Sequence, residues 1–181
     1  MEQHHSDLLQ HLSTARSPQQ MFGSIAKTYL AEKMKISRKD MVVVSIMPCV
    51  AKKYECKRPE FYVGNNPDVD ISITTRELAH LIRYANIDFE KLEDGSFDEP
   101  MGTSSGAGVI FGTTGGVIEA AVRTAYELYT KETLPRINFE ELRGFDGIRT
   151  ATIYFKETPI RIGIAHGLAN AKKVVEWRKS G

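Results

Sequence analysis

The pattern of apolar and polar positions predicts a helix as the first clear element. Ser17-Pro18-Gln19-Gln20 marks its start: Ser17 can cap, Pro18 suits the first helical position, and Gln20 can close a capping box. Phe22, Ile25, Ala26, Tyr29 and Leu30 then recur at helical spacing, predicting one apolar stripe that reaches about Met34. From Met41 to Ile46 runs an apolar, valine-rich segment punctuated by Pro48, the composition of a strand buried in a parallel sheet. Asp70 to Ile73 is a second short strand, and Thr74-Thr75-Arg76-Glu77 offers a second capping box. Leu78, Leu81, Ile82 and Ala85 form the expected buried face of the helix that follows. Residues 86–105 are polar and broken by Gly95, Pro100 and Gly102. Gly115-Gly116 then opens a strong helix with Ile118, Ala121, Val122, Ala125 and Leu128 on one face. Arg149 to Phe155 and Ile160 to Ala165 alternate like two strands joined across 156–159, and a helix runs on over about 168–179. Strands alternating with helices predict an α/β domain, its largely parallel sheet flanked by helices.

Composition narrows the class without naming a function. The 181 residues suffice for one domain with a real core, and 41% hydrophobic with 26% charged residues is ordinary for a globular protein. Basic and acidic residues, 24 and 23, nearly cancel, so charge gives no reason to expect nucleic acid or an anionic membrane as partner. The longest apolar stretch, from Met41 to Met47, is far too short to span a bilayer. Met-Glu-Gln-His-His at the N-terminus lacks the apolar core of a signal peptide, and the expected location is cytoplasmic. Cys49 and Cys56 are the two cysteines and form no CxxC pair, which argues against a disulfide scaffold or a zinc ribbon.

In open α/β sheets, ligands gather outside the carboxyl ends of the strands. Cys49 falls there, in Met47-Pro48-Cys49-Val50-Ala51-Lys52-Lys53-Tyr54-Glu55, with a cation three residues on and a carboxylate six residues on. A nearby ammonium favours the thiolate, the form that ligates metal. On the residues alone, Cys49 is a buried thiol, a metal ligand or a nucleophile; no histidine close in sequence supports the last. Gly106-x-Gly108 precedes a helix, but no strand pattern runs into it as a dinucleotide fingerprint requires. The histidines show no metal-ligand spacing.

Taken together, these segments resemble the catalytic domain of the iron-only (FeFe) hydrogenases. Met47-Pro48-Cys49-x-x-Lys52-x-x-Glu55 looks like the family's central signature. The run from Leu12 to Gly23, the segments Asp70 to Ala79 and Ser105 to Gly116, and Ile164 to Ala171 are similar to other parts of it, in order. The resemblance implies a two-lobed active-site domain, of which residues 1–181 form a partial, single-domain piece: most of one lobe and part of the other. It implies an H-cluster, a 4Fe–4S cubane joined to a two-iron subcluster bearing carbonyl and cyanide ligands. Cys49 would be a cubane thiolate, the one bridging the two subclusters, and Lys52 would donate to a cyanide in a charge-assisted bond. Met47, Pro48, Gln19 and Phe111 would line the two-iron pocket, and Ser13 and Glu55 would lie on the proton route or its flank. The implied activity is reversible reduction of protons to hydrogen. The implied partners are the remaining segments of the catalytic domain and an electron carrier, either ferredoxin or a flavin/NAD(P)-linked subunit. A hydrogenase-like iron–sulfur assembly protein, or a regulatory or sensory relative, is the competing expectation.

A cubane is held by about four thiolates, and Cys49 supplies one. The family's Thr-Ser-Cys-Cys-Pro segment is absent before Ser13, and its Glu-x-x-x-Cys-x-x-Gly-Cys segment is absent after Trp177. Cys56 lies outside the signature and is expected to be structural. The expectation is therefore a fragment that does not turn over hydrogen by itself and does not retain the cluster alone.

Overall fold

A computed structural model describes residues 1–134, 137, 140–141 and 146–181 of the chain. It divides into two compact units, Met1–Met101 and Gly102–Gly181. No helix among the described residues is long and apolar enough to cross a membrane.

In the first unit, a short 3-10 segment Ser6–His11 leads to α1, Pro18–Ile25, which passes through a π-helical turn, Ala26–Leu30, into α2, Ala31–Met34. Ser17 caps α1 as its sequence predicts, accepting from the Gln20 N–H. Gln20 does not close the box: its side chain is fully buried, with the amide nitrogen 3.9 Å from Cys56 Sγ. Only part of the expected stripe lies inside: Ala26 and Leu30 are buried as predicted, but Phe22, Ile25 and Tyr29 are not. Phe22 and Tyr29 are 54% and 57% exposed, while Gln19, Gln20, Gly23, Ala26, Lys27, Leu30 and Ala31 point inward. These buried positions have helical spacing of their own, so the helix is amphipathic about an axis that hydropathy alone does not reveal.

What selects the polar face is ion pairing. Lys27, its side chain fully buried, donates to Asp70 at 2.8 Å and to Asn66 at 3.4 Å. Asp68 is taken by Arg16 and by Arg38, the latter at 2.6 Å. A buried charge is tolerated when paired and hydrogen-bonded, and here Lys27 and the arginines flanking the helical run are tied to the segment 68–70. Gly23 completes the contact: a Cβ there would stand 2.5 Å from Val69 Cγ2 and 2.7 Å from the Asp68 carbonyl oxygen.

The expected strand over Met41–Ile46 is shorter, β1 being Val44–Ile46, with α3 at Ala51–Glu55 beyond it. After a hairpin of β2, Tyr62–Val63, and β3, Asn66–Pro67, comes β4, Ile71–Ile73. β1 and β4 pair parallel, Val44 with Ile71 and Ile46 with Ile73. Val42 is two-thirds exposed and Val44 and Ile46 nearly half, so the run is not buried as its composition predicts. Thr74 and Glu77 form the expected capping box of α4, Thr75–Tyr84. On that helix Leu78 and Ile82 are half-buried, but Leu81 and Ala85 are exposed, which corrects the predicted face. Residues 86–105 are irregular apart from a 3-10 turn, Phe89–Lys91.

The second unit begins with α5, Gly106–Ile110, and α6, Gly116–Thr130. The sharp turn between them needs glycine twice. Gly115 has φ +79°, and a Cβ on Gly116 would lie 1.7 Å from the Ile110 carbonyl oxygen. The inward face of α6 carries Gly116 and Ala120, with Val122 and Tyr126 against the core; Ile118, Ala121, Ala125 and Leu128 point out, opposite to expectation for all of the predicted face but Val122. β5, Glu140–Glu141, β6, Ile148–Phe155, and β7, Thr158–Ala165, make an antiparallel sheet in that order. The β6–β7 turn carries Lys156 at φ 56°. Leu134, Ile153 and Ile162 form the core, with Tyr126 edge-on to Phe155 at 5.4 Å. α7, Leu168–Ser180, closes the chain. The parallel pairing expected from the sequence is the β1–β4 pair, whereas β6 and β7, expected as two strands joined across 156–159, pair antiparallel.

Candidate functional site

The parallel pairing runs one residue past β1, since Met47 N–H donates to the Ile73 carbonyl at 2.9 Å. Pro48, which has no N–H, ends it. The chain then turns into α3, with Lys52 N–H on the Cys49 carbonyl at 3.2 Å and Lys53 N–H on that of Val50 at 3.1 Å. Cys49 therefore sits on the first turn after a strand's carboxyl end, and its residue is exposed. Pro48 is exposed beside it and Met47 is half-buried. The thiol can be reached by a ligand, and the bland alternative of a core cysteine falls away.

One turn on, Lys52 is half-buried and its Nζ donates to Glu55 Oε2 at 3.0 Å. That same oxygen accepts from Ser17 Oγ at 3.0 Å and from Gln19 Nε2 at 3.3 Å. Gln19, 4% exposed, also accepts the Ser45 hydroxyl at 2.7 Å on its Oε1 and approaches Cys56 Sγ with Nε2 at 3.2 Å. Burial pushes the Cys56 thiol above its usual range, and the adjacent Glu55 carboxylate adds to the rise, while the Gln19 amide and the Lys52 ammonium oppose it. Cys56 is thus a buried thiol among amides, the structural residue its position outside the signature predicts. On the far side of α3, Lys53 pairs with Glu77, whose carboxyl is pulled down to about 2, first by that ammonium and then by Thr74.

The structure brings Gln19, Lys52 and Glu55 together, with Lys52 one turn beyond Cys49. Ser13 does not join them: it is exposed, and its Oγ accepts from the Ala15 N–H at 3.1 Å in a local turn. Phe111 belongs to the second unit, just past α5, with its N–H on the Ala107 carbonyl and 40% of its surface exposed. Sequence reasoning missed Ser45 and gave Ser17 only half of its work. The cap is local and legible, whereas the bond to Glu55 spans 38 residues.

The donor set can be tested against the cubane that the resemblance implies. Among the described residues, no three His, Cys, Asp or Glu side chains converge on a metal position. One reachable thiol beside a polar wall fits a single corner ligand of a cluster held jointly with other thiolates, and does not fit a closed cage.

The whole chain, residues 1–181, matches the family described as iron only hydrogenase large subunit, C-terminal domain. It is 59% identical over 94% of its length to the NADP-reducing hydrogenase subunit HndD of Solidesulfovibrio fructosivorans, covering 29% of that protein. It is 47% identical over 99% of its length to the periplasmic Fe hydrogenase large subunit of Nitratidesulfovibrio vulgaris, covering 43% of it. Among solved structures it superposes on a variant of the FeFe hydrogenase HydA1 of Chlamydomonas reinhardtii with a TM-score of 0.81 at 40% identity, covering 98% of this chain and 52% of that one. More distantly, it is 29% identical to the cytosolic iron-sulfur assembly component 3 of Bos taurus. The chain spans less than half the length of these two hydrogenase relatives.

Proposed function

Because the chain belongs to the iron-only hydrogenase large-subunit family, we propose that it contributes one thiolate and one polar wall to the active site of a hydrogenase catalytic subunit. The observation that carries this reading is the exposed Cys49 at the carboxyl end of β1, with the Lys52 ammonium held one turn away by Glu55. Cys49 would bind iron as thiolate, as one ligand of an H-cluster whose other cubane ligands lie elsewhere in the whole protein. When bound, the cluster supplies the electrons and the iron site for reversible reduction of protons to hydrogen.

The chain's own residues do the rest. Lys52, with one N–H on Glu55, presents its other donors to an anionic ligand, a charge-assisted contact stronger than a neutral one. Met47 offers a polarizable thioether and Pro48 a rigid turn beside it. Gln19 contributes indirectly, its buried amide holding the Glu55 carboxylate. Ser13, on the exposed N-terminal approach, would pass protons through its hydroxyl. By itself the chain is inactive in this reading, because one thiolate does not hold a cubane. Electrons would come through an iron–sulfur carrier such as ferredoxin or a flavin- or NAD(P)-linked subunit; the similarity to HndD supports the latter. One relative is named periplasmic, so family membership does not fix the compartment.

The test is hydrogen evolution from a reduced viologen by the full reading frame with its cluster assembled, against Cys49→Ala. The expected result is turnover in the first and loss of both turnover and cluster absorbance in the second. Cluster absorbance that survives Cys49→Ala would overturn the reading. A cluster that forms through Cys49 without any turnover would favour the assembly-protein relatives instead.

A further inference from the structure

Three donors on one carboxylate oxygen are more than that oxygen's two lone pairs accommodate, and on Glu55 Oε2 two of the three come from the start of α1, 36 and 38 residues away. We propose that Glu55 is a positioning residue that fixes the ammonium of Lys52, one turn beyond Cys49, with Ser17 and Gln19 fixing the carboxylate, and that it is not a proton carrier. The proposal deepens the functional reading above and rests on it for what Lys52 is held to do. Protonating Glu55 would remove the charge that holds Lys52 and weaken the bonds from Ser17 and Gln19. Ser13, the other residue placed on the route, bonds to the Ala15 N–H and not to Glu55. An ordinary pair three residues apart on a helix would leave Lys52 exchanging among rotamers. Here the carboxylate cannot follow it, because its two other donors belong to a different element. Nor can Gln19 turn over: Ser45 donates to its Oε1 at 2.7 Å, and its Nε2 faces Cys56 Sγ at 3.2 Å, with the whole side chain buried.

Trace acylation of the lysines of the 181-residue chain with acetic anhydride, read peptide by peptide by mass spectrometry, tests this. An amine must leave its acceptor before it reacts. Glu55→Gln keeps the shape and removes the charge, and Ser17→Gly removes the hydroxyl at little cost to the helix cap. The expected result is a rise in Lys52 labelling of about tenfold in Glu55→Gln and about threefold in Ser17→Gly, the factors that losing one charged or one neutral contact implies. Lys53, paired with Glu77, stays unchanged. Lys27, its side chain fully buried, reports the fold in the same experiment: it stays unlabelled as long as the first unit is intact. Unchanged Lys52 labelling in Glu55→Gln with Lys27 still protected overturns the proposal. Should Glu55→Gln expose Lys27, Ser17→Gly decides, and no rise at Lys52 there overturns it equally. In the cluster-loaded whole protein, the infrared band of an iron-bound cyanide should shift in Glu55→Gln. Faster labelling without that shift keeps the positioning role and removes Lys52's contact with the cluster, so the two readings fail separately.

Discussion

Gly23→Ala sets two effects of known size against each other. In an exposed helix, alanine for glycine is favourable by about 0.8–1 kcal/mol. At Gly23 the new Cβ would lie 2.5 Å from Val69 Cγ2 and 2.7 Å from the Asp68 carbonyl oxygen, both below the 3.0 Å that real contacts of this kind observe. Overpacking costs about 1–3 kcal/mol, and this site belongs at the upper end. Val69 is 1% exposed and has nowhere to swing. The Asp68 backbone is held by its own N–H on the Phe61 carbonyl at 2.8 Å and its side chain by Arg16 and Arg38. Relief must come from displacing the whole helix, and the net expectation is destabilisation by about 1–2 kcal/mol. Urea unfolding of the first unit, followed by the release of Cys56 to a thiol reagent, measures it; the midpoint should fall with the slope unchanged. Gly163→Ala on β7, where a Cβ meets nothing within 4 Å, is the contrast and should stabilise the second unit by about 0.4–1 kcal/mol, read from Trp177 fluorescence. A Gly23→Ala protein as stable as the parent would refute the close-approach argument.

Thiol titration should find one fast thiol, Cys49, and a second that reacts only on unfolding, because Cys56 is buried with its pKa raised; two fast thiols would contradict the buried network. Glu77 gives a pH signature. Its folded pKa of about 2 lies below the ordinary 4.5, so its stabilising contribution is present above pH 4.5 and disappears as pH falls through about 2. Thr74→Ala should weaken α4 by about 1 kcal/mol and blunt that acid loss in a circular-dichroism titration, whereas an identical acid profile would show that Thr74 does not hold the carboxylate. Lys27→Met should cost about 3 kcal/mol by leaving Asp70 uncompensated, and Lys27→Met with Asp70→Asn should recover most of it, since asparagine still accepts the Val43 N–H. Additive losses in that cycle, measured by urea unfolding, would mean the pair is not coupled.

What the sequence disclosed was local. The caps at Ser17 and Thr74, the glycine pair at 115–116 and the β6–β7 alternation each depend on a few neighbouring residues, and each formed where its pattern predicts. The signature around Cys49 was legible for the same reason, being a strand end, a turn and a helix face within nine residues. Burial was not legible, because it is decided by partners distant in sequence. Phe22, Ile25 and Tyr29 are spaced like a core face and stand outside, since Asp68 and Asp70, more than forty residues on, draw Lys27 and the start of α1 inward. The same limit hid Ser45, whose hydroxyl fixes the Gln19 amide across 26 residues.

That polar share of the buried face bears on how a site of this kind is held. An apolar helix face packs favourably over a range of shifts and rotations, because dispersion and water release are nearly non-directional. A face of Gln19, Gln20, Gly23 and Lys27 has few acceptable placements: each polar group must meet its own partner, and the glycine admits one depth of approach. Stability gains little from such a face, since desolvating paired charges consumes much of what their attraction returns. Position gains a great deal, and position is what a carboxylate needs if it is to fix an ammonium one turn from an exposed thiol. Ser17, Gln19 and Lys27 lie on one continuous helical run, so the ion pair that seats the helix at Asp70 also sets where its first turn meets Glu55. The buried polar face of α1 is on this account part of the site, although only its first turn touches Glu55.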